Sequence, residues 1–328
     1  MRTLMKSLPL AAALCVPAFQ AQAALTLTAD AIADGFTLAL TIDSVPASGY
    51  CCGPLGIATN SAGQIVMQDY PNGANYVFAN HDGQHFSDAL SSAAYSSFSY
   101  GAAIANSGGQ LYATNNDFGG VIFKLDPDGT KGLALTGTGA GGHGLWTNPV
   151  TGHLVAGNYD GIRDIDPATS TVTQLVSGVD VDGVSVSPDG TVVYGANGGH
   201  VYGWKYNGDF VYDSGYIGSP DGTGVIMGST PFAGDIIANG NDGTVWLLNP
   251  TTGVNLLLAT GGSRGDYVGV DNTNGSLFLT QTDSVYRLTC GTDCTFTNPI
   301  PEPDTLALAG AGLGLLGFVL RRRRLLSA

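Results

Sequence analysis

The sequence predicts an all-β fold, a six-bladed β-propeller, with a signal peptide before it and a membrane-spanning sorting tail behind it. Three observations predict this. A strand–turn–strand phrase recurs six times at the spacing of a propeller blade. Glycine (49 residues) and Asp crowd the chain where long helix-forming runs would otherwise stand. Each terminus carries an apolar stretch beside basic residues.

The chain begins Met1-Arg2-Thr3-Leu4-Met5-Lys6, runs apolar from Leu8 to Phe19, and then reads Ala21-Gln22-Ala23. A positive start, an apolar core too short to span a bilayer and an A-x-A site are the parts of a secretory signal peptide. Residues 1–23 are therefore expected to be removed, Cys15 with them.

Residues 24–298 are expected to form the propeller. The recurring phrase is a glycine, an alternating apolar run, a turn and a second strand. Its copies start at Gly56, Gly101, Gly144, Gly183, Gly224 and Gly269, at intervals of 45, 43, 39, 41 and 45 residues. A period of ~40–45 residues with four short strands per unit is the propeller pattern. The third strands agree: Val121–Pro127, Ile162–Pro167 and Thr244–Pro250 each end in Asp-Pro or Asn-Pro, which stops a strand and starts a turn. The blades are expected to start near 49, 96, 141, 181, 221 and 265. The sixth lacks an outer strand, and an open edge invites aggregation. The alternating segment at 35–42 is expected to fill that place.

Over about residues 49–290 this cadence resembles the extracellular propellers that include NHL-repeat, gluconolactonase-like and virginiamycin B lyase-like proteins. The resemblance implies architecture first. In gluconolactonase-like propellers it also implies a divalent metal at the channel, usually with a Glu ligand. The only Glu of this chain is Glu302, outside the propeller. No catalytic residue is carried over.

The tail (299–328) reads Pro301-Glu302-Pro303, an apolar run at 305–320 and Arg321, Arg322, Arg323 and Arg324. Arginines after an apolar helix stay cytoplasmic, which leaves the propeller outside. The three-part order resembles the PEP-CTERM sorting signal of Gram-negative bacteria that make exopolysaccharide. That resemblance implies an exosortase as partner, an inner-membrane anchor before processing, and delivery to the cell surface or biofilm matrix.

Between residues 24 and 300 stand six Lys and Arg against 24 Asp, a net charge of −18. Such a surface repels nucleic acid and anionic membranes and favours cations, Ca²⁺ above all, and neutral ligands such as sugars. Four cysteines survive processing: Cys51, Cys52, Cys290 and Cys294. An oxidising compartment makes disulfides of them, and three pairings are open, from cross-pairing that staples the two ends to local pairing of Cys290 with Cys294.

In a propeller, the loops entering the inner strands and those after the second strands meet at one channel mouth. The first set is Tyr50, Tyr100, His143, Asp182, Asp221 and Asp266. The second is Asp69, Asn115 with Asp117, Asn158 with Asp160, Asn197, Asn239 with Asp242, and Gln281 with Asp283. The binding candidates are His143, Asp182, Asp221, Asp266, Asn115, Asn158, Tyr159, Asn197 and Asn239, with Tyr159 as the surface aromatic. The metal candidates are Asp160, Asp182, Asp242 and Asp266, because Ca²⁺ takes 6–8 oxygens. Asn and Asp are also the best turn formers, so plain turn chemistry stays open beside a ligand ring. No EF-hand, phosphate loop, HExxH or GxSxG occurs. Two functions follow as expectations. One is a surface binding or structural module for exopolysaccharide or a surface partner. The other is a metal-dependent lactonase or lyase using the channel face.

Overall fold

Short runs of β-branched and aromatic residues between Gly and Asp/Asn turns have one good outlet, the antiparallel hairpin. The computed structural model describes residues 24–47, 52–94, 101–115, 120–135, 141–228 and 230–290, and there the chain is six antiparallel sheets. Blade 1 runs Pro54–Thr59, Ile65–Asp69, Ala74–Phe78 and Ser91–Ala94 from axis to rim. The inner strands of the later blades are Gly101–Ser107, Gly144–Thr147, Val184–Val186, Pro220–Val225 and Gly265–Val270. They touch in order, and the sixth touches the first, so the ring is closed. The protein is a six-bladed propeller.

The repeated glycine has a steric cause. A Cβ on Gly144 would lie 2.5 Å from the Asp182 carbonyl oxygen, and one on Gly183 would lie 2.4 Å from that of Asp221. Bare backbone lets neighbouring inner strands approach around a narrow axis. The Asp-Pro and Asn-Pro turns also have a cause. The Asp166 carboxylate accepts the Ala168 N–H (2.8 Å), and the Asn249 side chain accepts those of Thr251 and Thr252.

Phe36–Asp43 lies antiparallel to Ser284–Cys290 as the fourth strand of blade 6, with Leu38 opposite Leu288. Thr26–Leu27 adds to the rim of blade 5, and a one-turn helix at Ala29–Ala33, capped by Thr28, joins the two. Gln84–His85 runs parallel to Ile42–Asp43, so blade 1 reaches across the seam as well. Arg287, buried in blade 6, ties this reach down through Asp82 (2.9 Å), Asn80 (2.6 Å) and Asp271. Between blades the core is aliphatic and aromatic, with Trp146, Val155, Val184 and Val193 in one cluster and Ile57, Met67, Phe78 and Phe278 in another.

The signal peptide, Tyr50, Cys51, Tyr100, Asp117, Cys294 and the tail with Pro301–Pro303 and its arginines lie outside the described residues. No described helix is long and apolar enough to cross a membrane.

A carboxylate cluster at the channel mouth

Each residue that enters an inner strand is aimed by the glycine beside it. The pairs are His143-Gly144, Asp182-Gly183, Asp221-Gly222 and Gly265-Asp266. Close strand approach at the glycine brings the flanking side chains of adjacent blades together. The first turn of the inner strand is also irregular in blades 1, 2, 5 and 6, where the register shifts before pairing resumes. Bulges of this kind re-aim side chains at barrel and propeller rims.

The result is a row across blades 3 to 6. His143 Nδ1 lies 3.2 Å from Asp182 Oδ1. The Asp221 carboxyl stands within hydrogen-bonding reach of both Asp182 and Asp266, and either contact becomes a hydrogen bond once one partner carries a proton. Arg264 reaches both Asp221 (3.2 Å) and Asp266 (2.6 Å). Asp221 and Asp266 are buried, whereas the Asp182 side chain is 48% exposed.

These surroundings separate the three acids. Burial, then the charges of Asp182 and Asp266, raise Asp221 well above the carboxylate range, and Arg264 offsets only part of this. Asp221 is therefore the member that holds the proton. Burial raises Asp266 too, against the pull of Arg264. Burial also pushes Asp182 upward, but His143, Asp221 and Arg264 together bring it below its ordinary value. His143 Nε2 has no hydrogen-bond partner.

The floor under this row is Tyr267. Its side chain crosses the axis from blade 6, and its hydroxyl lies 2.8 Å from the Ile104 carbonyl and 2.6 Å from that of Leu145. The channel is thus stopped below the acids. On the outer side Tyr159, 49% exposed, meets the His143 ring edge-on at 4.3 Å between centroids.

Of the predicted residues, the structure gathers His143, Asp182, Asp221, Asp266 and Tyr159. Asn239 sits one layer beneath, giving its amide to the Tyr267 and Thr280 carbonyls and accepting from Gln281 (3.0 Å). The rest take turn or strand-end places. Asn158 caps its own turn at Asp160 N (3.0 Å), and Asp160 holds Arg163 (2.8 Å). Asp242 closes a turn on Thr244. Asn197 ends a strand opposite His200 in a tight hairpin, and Asn115 ends the second strand of blade 2. For Asp160 and Asp242, expected as metal ligands, turn chemistry is what the structure shows.

Two members escaped the sequence reading. Arg264 stands two residues before Asp266, and that spacing was the available signal. Tyr267 follows Asp266 directly, and nothing local marks it as crossing the axis.

A divalent metal does not fit this arrangement as it stands. Arg264 already bridges Asp221 and Asp266, and no Glu stands in the propeller. Among the described residues no group of three or more His, Cys, Asp or Glu is disposed to hold a metal.

Cys52 and Cys290 are not free thiols. Cys52 lies at the mouth, its Sγ 3.7 Å from Asp266 Oδ1. Its neighbour Gly53 abuts the Thr282 carbonyl, just before the strand Ser284–Cys290 begins. At ~3.3 Å per residue, that strand carries Cys290 some 20 Å away, so Cys52 and Cys290 are not bonded to each other. An end-to-end staple between these two is ruled out.

Residues 299–324 match the PEP-CTERM protein-sorting motif. The chain therefore carries the mark of an exported, exosortase-sorted protein that is anchored in a membrane before processing. No curated protein matches the sequence. Among solved structures, the chain is similar to a gluconolactonase, XC5397 from Xanthomonas campestris, at 16% identity and a TM-score of 0.59, over 81% of this chain and 95% of that one. It is also similar to a luciferin-regenerating enzyme, at 11% identity and a TM-score of 0.56, over 80% and 97%. At these identities the likeness is one of fold alone.

Proposed function

We propose that this protein is a surface propeller, delivered by an exosortase, whose channel mouth binds a neutral or amino-bearing polysaccharide of the cell envelope or matrix. The carrying observation is the stopped channel. Tyr267 closes it below, Asp182 and the Tyr159 ring stand open above, and the acids between are partly neutralised by Arg264 and a proton on Asp221. A sugar ring packs its C–H face on an exposed aromatic while its hydroxyls meet the carboxylates. The −18 charge disfavours an acidic polymer. The basic end of the tail supports an orientation with the propeller outside the inner membrane, followed by release to the surface.

Biolayer interferometry with the processed protein tests this against dextran, chitosan oligosaccharides and alginate. Dextran or chitosan is expected to bind, and Tyr159→Ala to weaken binding about tenfold, as loss of a stacking contact implies. Binding to none of them, to alginate alone, or undiminished binding by Tyr159→Ala overturns the reading.

A lactonase reading draws on the proton-holding Asp221, since a carboxylic acid kept neutral beside carboxylates is the pattern of a general acid. Hydrolysis of a sugar lactone, measured with and without Ca²⁺, decides it. A rate above buffer that falls in Asp221→Asn favours the enzyme.

A further inference from the structure

At the seam between blades 5 and 6, on the side of the mouth, lies a cavity of about 270 Å³. Ala24 borders it, together with Asp43, Ser263, Gln281, Asp283 and Tyr286. Its charged groups are two carboxylates, Asp43 and Asp283, and no cationic side chain borders it. The Gln281 amide is buried, and its NH2 group is committed to Asn239 Oδ1 and the Thr280 carbonyl (3.0 and 3.2 Å). That fixes the amide, and its carbonyl oxygen is left with no partner. Residue 262 is a glycine here, and a Cβ in its place would lie 2.3 Å from that oxygen. A buried, unpartnered acceptor calls for a donor, because leaving it bare costs its full desolvation, and the carboxylates of the same cavity favour a cationic one.

The sequence supplies such a donor at this point. The A-x-A pattern Ala21-Gln22-Ala23 places the signal-peptidase cut directly before Ala24. In the precursor, residue 24 has an uncharged amide N–H. After the cut it has an ammonium group with three donors.

We propose that the α-ammonium of Ala24, created by removal of the signal peptide, is the ligand of this cavity, where Asp283 and the Gln281 carbonyl oxygen hold it. The segment it starts adds Thr26–Leu27 to blade 5 and Phe36–Asp43 to blade 6. Fixing its first residue completes the ring seam, so closure of the propeller is coupled to export. This rests on the cleavage position and is independent of what the channel mouth binds.

The titratable groups around the cavity are Asp43, Asp283 and Tyr286, with His85 held on Asp43. An ammonium gaining a carboxylate partner has its folded pKa raised above the free α-amino value of ~7.7–8.0. Its stabilisation is complete below that value and is lost as pH rises through the folded pKa.

The test uses the full chain, exported from a Gram-negative host and purified in detergent. N-terminal sequencing is expected to read Ala24 first. Reductive ¹³C-methylation followed by NMR titration is expected to place the Ala24 amine about one unit or more above ~8. Between pH 7 and 10 the unfolding constant is expected to rise about tenfold more in this protein than in Asp283→Asn or in a chain lengthened by Gly-Ser before Ala24. A different first residue, an amine titrating at or below ~8, or the same alkaline profile in all three proteins overturns the proposal.

Discussion

Acidifying this protein from pH 7 to pH 5 should stabilise it. Asp69 and Asp235 are buried, and burial pushes each up to about 6 from an ordinary 3.8. A carboxyl whose folded pKa is raised takes up a proton on folding between the two values. Stability then falls as pH rises through that range, and the penalty is complete above the folded pKa. For a group moving from 3.8 to 6, the part recovered between pH 7 and pH 5 is about 1.3 kcal/mol, so the pair contributes about 3 kcal/mol. In a domain of this size that corresponds to a rise in melting temperature of roughly 5–10 °C. Asp221 acts in the same direction. Carboxylates held low by local hydrogen bonds, such as Asp128 and Asp189, lose their contribution only below pH 4, outside the window. Scanning calorimetry at pH 5, 6 and 7 measures the slope. The double variant Asp69→Asn/Asp235→Asn keeps every histidine, so the difference between the two slopes isolates these two acids. A flat or falling melting temperature toward pH 5, or an unchanged slope in the double variant, refutes the reasoning.

Tyr267→Phe removes the one hydroxyl that serves the Ile104 and Leu145 carbonyls and should cost about 1–3 kcal/mol, read as a lower urea midpoint with an unchanged m-value. Arg264→Gln strips the cation from Asp221 and Asp266 and should cost about 2–3 kcal/mol at pH 7, less than a fully buried pair because Arg264 is partly exposed. That loss should shrink as pH falls and Asp266, pushed up by burial, takes up its proton, and urea titrations at pH 7 and at lower pH check it.

The fold was readable because its two recurring signals each have a local cause. Glycine marks where inner strands nearly touch, as at Gly183, and Asp-Pro or Asn-Pro marks a turn closed by its own side chain, as at Asp166. The missing rim strand was readable from alternation at 35–42 and from a sixth repeat one strand short. The site was readable only in part. Position relative to the inner strand singled out His143, Asp182, Asp221 and Asp266. Position could not separate them from Asp160 and Asp242, because a turn and a ligand site use the same oxygen atoms, and only the third dimension shows which neighbours compete for them. Arg264 was hidden for a related reason. One cation among 24 acids carries no pattern until two of those acids are seen beside it.

The placing of cost in this molecule argues for the mouth as its working surface. Asp82 and Asp271 share a buried Arg287, and the pair serves the seam. Asp221 and Asp266 share Arg264 between blades 5 and 6, yet both acids stay pushed above their ordinary values. Asn or Ser at either position would remove the penalty that a carboxyl with a raised folded pKa carries at neutral pH. One acid beside Arg264 would make that joint, and three in a row above a tyrosine plug are more than the joint needs. Unfavourable chemistry held in place by glycine-aimed strands is the form that a binding or reaction site takes when stability is spent on function. It follows that Asp221→Asn should be at least as stable as the native protein at pH 7 and weaker in whatever the mouth does.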